Sequence, residues 1–109
     1  DWNHQQTARD AASMQKRGLL VTMGSHGQLQ GLAAHWELWA MGGPGAMSPI
    51  QALEAATLGG AKYLGMDDVL GSITAGKLAD MVVLDADPRV DLQNTTQIHM
   101  VIHDGHIRR

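Results

Sequence analysis

The spacing of hydrophobic and polar positions along the chain changes near Gly71. Before this residue, apolar positions mostly recur every three or four residues, as on the buried face of a helix, with one short apolar run among them. After it, apolar residues stand together or alternate with polar ones, as in β-strands. The change predicts two parts, residues 1–70 with mixed α and β elements and residues 71–109 with β-strands.

The first part begins with a predicted helix over residues 1–17, in which four apolar side chains share a narrow stripe. Gly18 follows two basic residues and predicts the end of this helix. Leu19–Met23 then predicts a short buried strand, and a polar glycine-rich loop leads to Gln28. A helix, an apolar strand and such a loop, in this order, predict the last part of an α/β unit. In such folds the loops that follow the strands carry the chemistry.

Two further helices are predicted before residue 65. The first spans residues 31–41 and is ended by a Gly-Gly-Pro-Gly run. The second begins with three agreeing signals: Ser48 as N-cap, a proline in the first turn, and Gln51 to complete a capping box. We expect it to end at Gly59-Gly60, with a further short turn over residues 61–64.

The second part contains one apolar strand and one hairpin. Met81–Leu84 has no polar alternation, so we expect a buried strand that must be covered on both faces. Residues 97–103 alternate between apolar and polar positions after a polar connection. Asp104-Gly105 is a strong hairpin signal, and residues 106–108 form the returning strand.

Composition excludes several classes of function. The 109 residues are of one-domain length and include no cysteine, so disulfides and thiolate metal sites are excluded. The net charge of −3, with scattered basic residues, argues against nucleic-acid binding. No apolar run approaches the roughly 20 residues that span a bilayer, and no secretory signal is evident at the amino terminus. The compartment stays open, either cytoplasmic or periplasmic or secreted.

Two sequences that resemble known sites lack the residues those sites need. Gly71 to Lys77 has the spacing of a phosphate-binding loop, but Leu78 stands where Ser or Thr would hold magnesium, and a strand follows instead of a helix. We therefore interpret it as a glycine corner that leads into the strand. His35 is followed by tryptophan and glutamate, but no second histidine comes four residues later, so this is not a zinc-protease helix.

Three histidines and two aspartates surround the hairpin. Because no carboxylate partner for the histidines is evident, we interpret the hairpin face as solvated rather than as a metal site. We expect the aspartates that flank the first strand to bond to turn amides. The residues concerned are His99, His103, His106, Asp80 and Asp85.

Four blocks of sequence resemble the carboxyl-terminal portion of the amidohydrolase superfamily. They are M-S-P-I-Q-A-L-E-A-A-T-L-G-G-A-K-Y-L-G (47–65), G-S-I-T-A-G-K-L-A-D-M-V-V-L-D-A-D-P (71–88), V-I-H-D-G-H-I (101–107) and M-G-S-H-G-Q-L-Q-G-L-A-A-H-W-E-L-W (23–39). The branch they resemble is imidazolonepropionase-like and Xaa-Pro dipeptidase-like, and the last block resembles members fused to a TolB-like propeller. The similarity covers essentially the whole chain.

This resemblance implies an α/β fold. Members have a metal-bearing (β/α)8 (TIM) barrel and a small β-sandwich, a composite domain assembled from both ends of the chain. By the resemblance, residues 1–17 would be the seventh barrel helix, residues 19–23 the eighth strand, and residues 31–65 the closing helices. Residues 71–109 would be the carboxyl-terminal share of the sandwich.

The resemblance also implies a site to which this chain contributes one corner. Most of the family's metal ligands would lie before Asp1, and the expected cofactor is a divalent metal such as zinc. His26 stands where members carry an aspartate that binds metal and acts as a base, in Gly24-Ser25-His26 instead of Gly-Thr-Asp. An imidazole can bind zinc or accept a proton, so both roles stay open. Gln28 and His35 are the candidate substrate contacts, and no residue of the chain is assigned as a metal ligand.

Two functions follow as hypotheses. The first is a fragment of a metal-dependent hydrolase that acts on C–N bonds of a small cyclic amide or peptide-like substrate, and that is inactive in isolation. The second is a non-catalytic binding or assembly module derived from the same fold, because His26 replaces the usual acid. In both cases we expect unpaired strand edges to cause self-association or packing with the rest of a longer chain.

Overall fold

The computed structural model of the protein describes residues 3–26 and 29–108. Within these ranges, four α-helices precede three β-strands, and one 3₁₀ helix lies between the first two strands. The elements are α1 Asn3–Lys16, α2 Leu32–Met41, α3 Pro49–Ala56, α4 Leu58–Tyr63, β1 Met81–Leu84, the 3₁₀ helix Leu92–Thr96, β2 Ile98–His103 and β3 His106–Arg108. The order of helices and strands agrees with the predicted change of period, while the division into two domains stays a prediction.

The first helix agrees with its prediction. α1 ends at Lys16, and Gly18 takes a φ of 83°, in the left-handed region that glycine adopts at little cost. Ala8 and Ala12, one turn apart on the same face, are its buried residues. This face packs against α2, because small side chains let the two helices approach each other closely.

The prediction of a buried strand at residues 19–23 is wrong for this structure. These residues form no strand, and Leu19 and Leu20 are 56% and 52% exposed. A strand exists only when a neighbouring segment accepts and donates its backbone hydrogen bonds, and no described segment pairs with this one. Only Val21 and Met23 reach the hydrophobic core, where they pack against its edge.

The start of α3 is confirmed, but its end is not where the glycines predict. Ser48 Oγ accepts the Gln51 N–H, and Gln51 Oε1 accepts the Ser48 N–H, which completes the capping box. The helix breaks at Thr57, and Gly59 and Gly60 lie inside α4. Gly59 is buried, and a Cβ there would lie 3.1 Å from the Val21 carbonyl oxygen. Its role is therefore close packing rather than helix termination.

The hydrophobic core lies among the helices and is built from small and flexible side chains. Leu92 of the 3₁₀ helix is the member that comes from the second part of the chain. The 3₁₀ helix was not predicted, because its segment is mostly polar. The buried members of the core are Ala12, Leu38, Met41, Met47, Ala52, Ala55 and Leu92.

The three strands form one antiparallel sheet in the order β1-β2-β3. Met81 pairs with Ile102, which in turn pairs with Ile107, and Val83 pairs with Met100. The hairpin between β2 and β3 is confirmed at Asp104 and Gly105. Both residues have positive φ, 48° and 73°, as the tight turn of a two-residue hairpin requires.

The prediction that β1 is buried is wrong for the described residues. Val82 is 55% exposed and Val83 is 39% exposed, and no residue of the three strands is buried. Three strands form a single layer, and no described segment supplies a second layer over it. The sheet extends from the helical part, which gives the molecule dimensions of 44 × 28 × 28 Å.

The helices are too short or too polar to cross a bilayer. The longest described helix, α1, has 14 residues, and none of the helices in residues 3–26 and 29–108 has the length and apolar character of a membrane span.

Candidate functional site

His26 lies on the loop that follows the apolar segment 19–23, as the order of elements predicts. Its side chain is exposed, and its backbone φ is 57°. A non-glycine residue in this left-handed region costs about 1 kcal/mol or more, and surrounding structure must hold it there. The loop therefore presents an imidazole to solvent from a backbone that is constrained.

Glu37 on α2 attaches this loop to the helical part. Its Oε1 accepts the N–H of Gly24, two residues before His26, at 2.9 Å. Its other carboxylate oxygen, Oε2, is buried and has no hydrogen-bond donor among the described residues. Glu37 was not predicted as a site residue, because in the sequence it stands only within an incomplete zinc-protease pattern. An acidic residue on the helix that follows a glycine-rich loop is the sequence signal that could have identified Glu37.

His35 contacts the 3₁₀ helix rather than the loop of His26. Its Nδ1 lies 2.9 Å from Thr95 Oγ1, and Thr95 is only 6% exposed. The Thr95 hydroxyl also lies 2.8 Å from the Leu92 carbonyl oxygen, so it connects the His35 imidazole to the backbone of the 3₁₀ helix. Trp39 packs nearby, with ring centroids 6.3 Å apart.

The structure does not join the predicted site residues by direct contacts. No hydrogen bond connects His26 with His35 within the part of the chain that is described, and Gln28 lies outside the described residues. The roles of His26, Gln28 and His35 therefore stay predictions. The arrangement supplies an exposed imidazole on a held loop, with a second histidine on the following helix.

The described residues do not form a metal-binding set. In residues 3–26 and 29–108, no group of three or more His, Cys, Asp or Glu side chains is placed to hold a metal ion. His26 could offer one nitrogen, but a stable divalent site needs at least three protein ligands. The donors present do not by themselves fit the expected divalent metal.

A cleft between two of the helices lies away from this loop. It has a volume of about 350 Å³ and runs between α1 and α2, where Trp36 and Trp39 face Ala8 and Pro44. Neither His26 nor His35 lines it. Its walls are mostly apolar, with His4 and Gln5 among the side chains that line it.

Two of the three sheet histidines have carboxylate partners, contrary to the premise of the prediction, whereas His106 Nδ1 bonds to the Asp104 carbonyl oxygen. All three side chains are exposed, as predicted. His103 Nδ1 lies 3.0 Å from Asp80 Oδ1, and His99 Nδ1 lies 2.9 Å from Asp85 Oδ1. Asp80 also accepts the N–H of Asp104 at 2.7 Å, as the prediction of a turn-amide bond requires. This backbone bond, followed by the His103 side chain, holds the pKa of Asp80 below its usual value. Asp85 bonds to His99 instead of a turn amide.

The side chain of Lys77 bonds to residues next to the Gly71–Lys77 segment or within it, as the interpretation of this segment as a glycine corner predicts. Its Nζ donates to Ser72 Oγ at 2.7 Å and reaches the Leu70 carbonyl oxygen at 3.4 Å. Lys77 is half-buried, and the two oxygens that its ammonium group contacts are both neutral. The glycine corner therefore stabilises the entry to β1 rather than a phosphate.

Comparison with known proteins identifies a family match over most of the chain. The sequence profile of the Amidohydrolase family matches residues 4–108. A curated relative, the 5-methylthioadenosine/S-adenosylhomocysteine deaminase of Teredinibacter turnerae, is 33% identical over 93 residues. The alignment covers 75% of this chain and 21% of that protein.

Two solved structures have the same arrangement of elements. A candidate prolidase from Bifidobacterium longum aligns with a TM-score of 0.81 at 34% identity, covering 90% of this chain and 25% of its own. A Xaa-Pro dipeptidase crystallised with methionine in its active site also aligns with a TM-score of 0.81, at 28% identity over 96% of this chain and 25% of its own. The chain thus spans about a quarter of each structure.

Proposed function

The chain belongs to the amidohydrolase family, and on that premise we propose that the full-length protein hydrolyses C–N bonds of small amide or peptide-like molecules. By full-length protein we mean the whole polypeptide to which these residues belong. The observation that carries the proposal is the family match over residues 4–108, with a similar dipeptidase structure and a similar deaminase sequence. Both of those relatives are named for reactions in which water cleaves a C–N bond.

The described residues form the end of a larger catalytic body under this proposal. Residues 1–70 contribute the last helix and strand units of a TIM barrel, and residues 71–109 contribute strands of a composite β-sandwich. The exposed side chains of Leu19, Leu20 and Val82 support this assignment, because apolar residues at these positions need cover that the described chain does not provide.

His26 is proposed as the catalytic residue of this corner. It lies on a loop at the end of the apolar segment 19–23, where barrel enzymes carry their chemistry. A histidine can accept a proton from attacking water near neutral pH and return it to the leaving nitrogen. Gln28 and His35 are proposed as substrate contacts, and the second ring nitrogen of His35, Nε2, can form a hydrogen bond with a substrate amide.

The expected divalent metal, such as zinc, would need ligands from outside the described residues. The roles proposed for this chain therefore concern proton transfer and substrate contact. The isolated 109 residues are proposed to be inactive, because one histidine without the remaining site residues cannot assemble a hydrolytic centre.

A non-catalytic binding or assembly module is the second candidate. The observation that favours it is His26 itself, because an imidazole lacks the permanent negative charge of the aspartate that the resemblance places there.

A parallel assay separates these proposals. The full-length protein and the isolated 109 residues, each with added zinc, are incubated with Xaa-Pro dipeptides, cyclic amides and aminopurine nucleosides. We expect amine or ammonia release by the full-length protein from at least one class, and none by the isolated chain above a zinc-only blank. A full-length protein that binds no metal and releases nothing would support the binding module instead.

Self-association is proposed for the isolated chain. Its sheet exposes apolar side chains and unpaired strand edges, which pair readily with another copy. Sedimentation velocity of the isolated chain should show species larger than a monomer. A single monomeric boundary at all concentrations would contradict this.

A further inference from the structure

The segment that carries His26 has few polar attachments to the rest of the chain. Among the described residues, the bond from the Gly24 N–H to Glu37 Oε1 is the one hydrogen bond that residues 20–26 form. Val21 and Met23 add apolar contacts at the edge of the core, but these end before the loop itself. Among the described polar contacts, the Glu37 carboxylate is therefore the one that positions the loop.

Glu37 is suited to hold the loop because it stands on a rigid element. α2 is a ten-residue helix that packs against α1, α3 and the 3₁₀ helix. The following residue, Leu38, is 5% exposed and fixes the helix in the core. A group on such a support places its hydrogen-bond partner more accurately than a group on a loop would.

The buried Oε2 of Glu37 indicates that this side chain has a role beyond presenting a charge to solvent. A carboxylate oxygen that is buried without a donor costs about 1–3 kcal/mol, so a solvated orientation would be favoured if nothing held the group in place. The bond to Gly24 is the described interaction that holds it. The loop and the carboxylate therefore constrain each other.

His26 needs this constraint because of its backbone. With a φ of 57° it occupies a conformation that surrounding structure must maintain, and Gly24 is the attached residue nearest to it. Loss of the Gly24 bond would let residues 24–26 relax and move the imidazole. A displacement of about 1 Å at a reacting group is sufficient to lower a rate about 100-fold.

We propose that Glu37 is a positioning residue of the active site, which sets the place of His26 through its hydrogen bond to the Gly24 N–H. This rests on the proposed function, since His26 needs a role in turnover for its placement to matter. The proposal assigns no contact between Glu37 and substrate.

A double-mutant cycle in the full-length protein tests the proposal. Glu37→Ala removes the acceptor, and we expect kcat/KM to fall about 10-fold to 100-fold. Glu37→Gln keeps an oxygen that can accept the Gly24 N–H, and we expect kcat/KM within a few-fold of wild type. In a His26→Ala background, Glu37→Ala should cost nothing further, because it acts through His26. Glu54→Ala removes an exposed carboxylate from α3 and is the matched control, expected to be unchanged.

Hydrogen exchange of the Gly24 amide gives a second readout that does not depend on turnover. We expect Glu37→Ala to speed this exchange at least 10-fold, and Glu37→Gln and Glu54→Ala to leave it nearly unchanged. Unchanged Gly24 exchange in Glu37→Ala, or an equal loss of activity in the His26→Ala background, would overturn the role of Glu37. A His26→Ala variant with full activity would instead overturn the proposed role of His26, so the two failures are distinguishable.

Discussion

The indole nitrogen of Trp39 lies 2.8 Å from the carbonyl oxygen of Leu92 and donates its hydrogen across a separation of 53 residues. The same N–H reaches Thr95 Oγ1 at 3.2 Å. Leu92 lies on the 3₁₀ helix and is a member of the hydrophobic core. Because Trp39 lies on α2, this bond attaches the 3₁₀ helix to α2. The 3₁₀ helix also contacts β1, so the contact links the sheet to the helical part.

Thr95→Val should destabilise the protein by about 1–3 kcal/mol, because it removes a buried hydroxyl that bonds to His35 and to the Leu92 carbonyl oxygen, while Trp39 keeps its own bond to Leu92. Valine has nearly the same shape as threonine, so the change in stability reports the lost hydroxyl. The matched control is Thr96→Val, since Thr96 is the exposed neighbour and should change stability by less than about 0.5 kcal/mol. Urea unfolding followed by tryptophan fluorescence measures both. Equal effects of the two substitutions would contradict the role of Thr95.

Gly71→Ala should be more destabilising than Gly76→Ala, although both glycines have nearly the same backbone conformation. Their φ angles are 92° and 94°, so each substitution pays a left-handed backbone cost of about 1–2 kcal/mol. A Cβ at Gly71 would also lie 2.5 Å from the Cβ of Ala61, whereas Gly76 faces open space. The clash should add about 1–3 kcal/mol. Unfolding midpoints that are the same for both variants would show that the corner is looser than described.

Asp80→Asn should reduce stability at neutral pH and lose this effect in acid. The Asp104 N–H and His103 hold the pKa of the folded-state carboxyl below its ordinary value, so the ionised group stabilises the fold. For a depressed pKa, this stabilisation is complete above the unfolded value of about 3.9 and disappears as the pH falls through the folded value. The stability difference between wild type and Asp80→Asn should therefore shrink below about pH 4.

The control for this pH dependence is Asp67→Asn. Asp67 is exposed and has no hydrogen-bond partner among the described residues, so its substitution should produce no such change. Urea titrations at several pH values compare the two variants. A stability difference for Asp80→Asn that is the same at pH 7 and in acid would contradict the assignment.

Ser48→Ala should cost about 0.5–2 kcal/mol, because it removes the acceptor for the Gln51 N–H in the first turn of α3. Ser13→Ala is the matched control. Ser13 is exposed in the interior of α1, where alanine is the better helix former, so this change should be neutral or slightly stabilising. Thermal unfolding measures both, and a destabilising Ser13→Ala with a neutral Ser48→Ala would reverse the expected order.

Elements with local chemical causes could be predicted from the sequence. The capping box at Ser48, the glycine stop at Gly18 and the hairpin at Asp104-Gly105 each depend on residues a few positions apart. Elements that depend on distant contacts could not. Gly59 packs closely against the distant Val21 carbonyl oxygen, and the 3₁₀ helix is held by contacts to α2.

The candidate site shows the same limit. The loop position of His26 follows from local order, because a polar glycine segment comes after an apolar run. Its attachment through Glu37 could not be predicted, since the bond joins residues 13 positions apart, one on the loop and one on α2. The partners of His99 and His103 depend on the register of β1 against β2, which side-chain alternation alone does not define.

The measurement that tests the account most directly is backbone hydrogen exchange of residues 19–23 in the full-length protein and in the isolated 109 residues. If these residues are a barrel strand completed by other parts of the polypeptide, their amides should exchange slowly in the full-length protein and rapidly in the isolated chain. Rapid exchange in both would contradict the central claim that this segment belongs to a larger catalytic body.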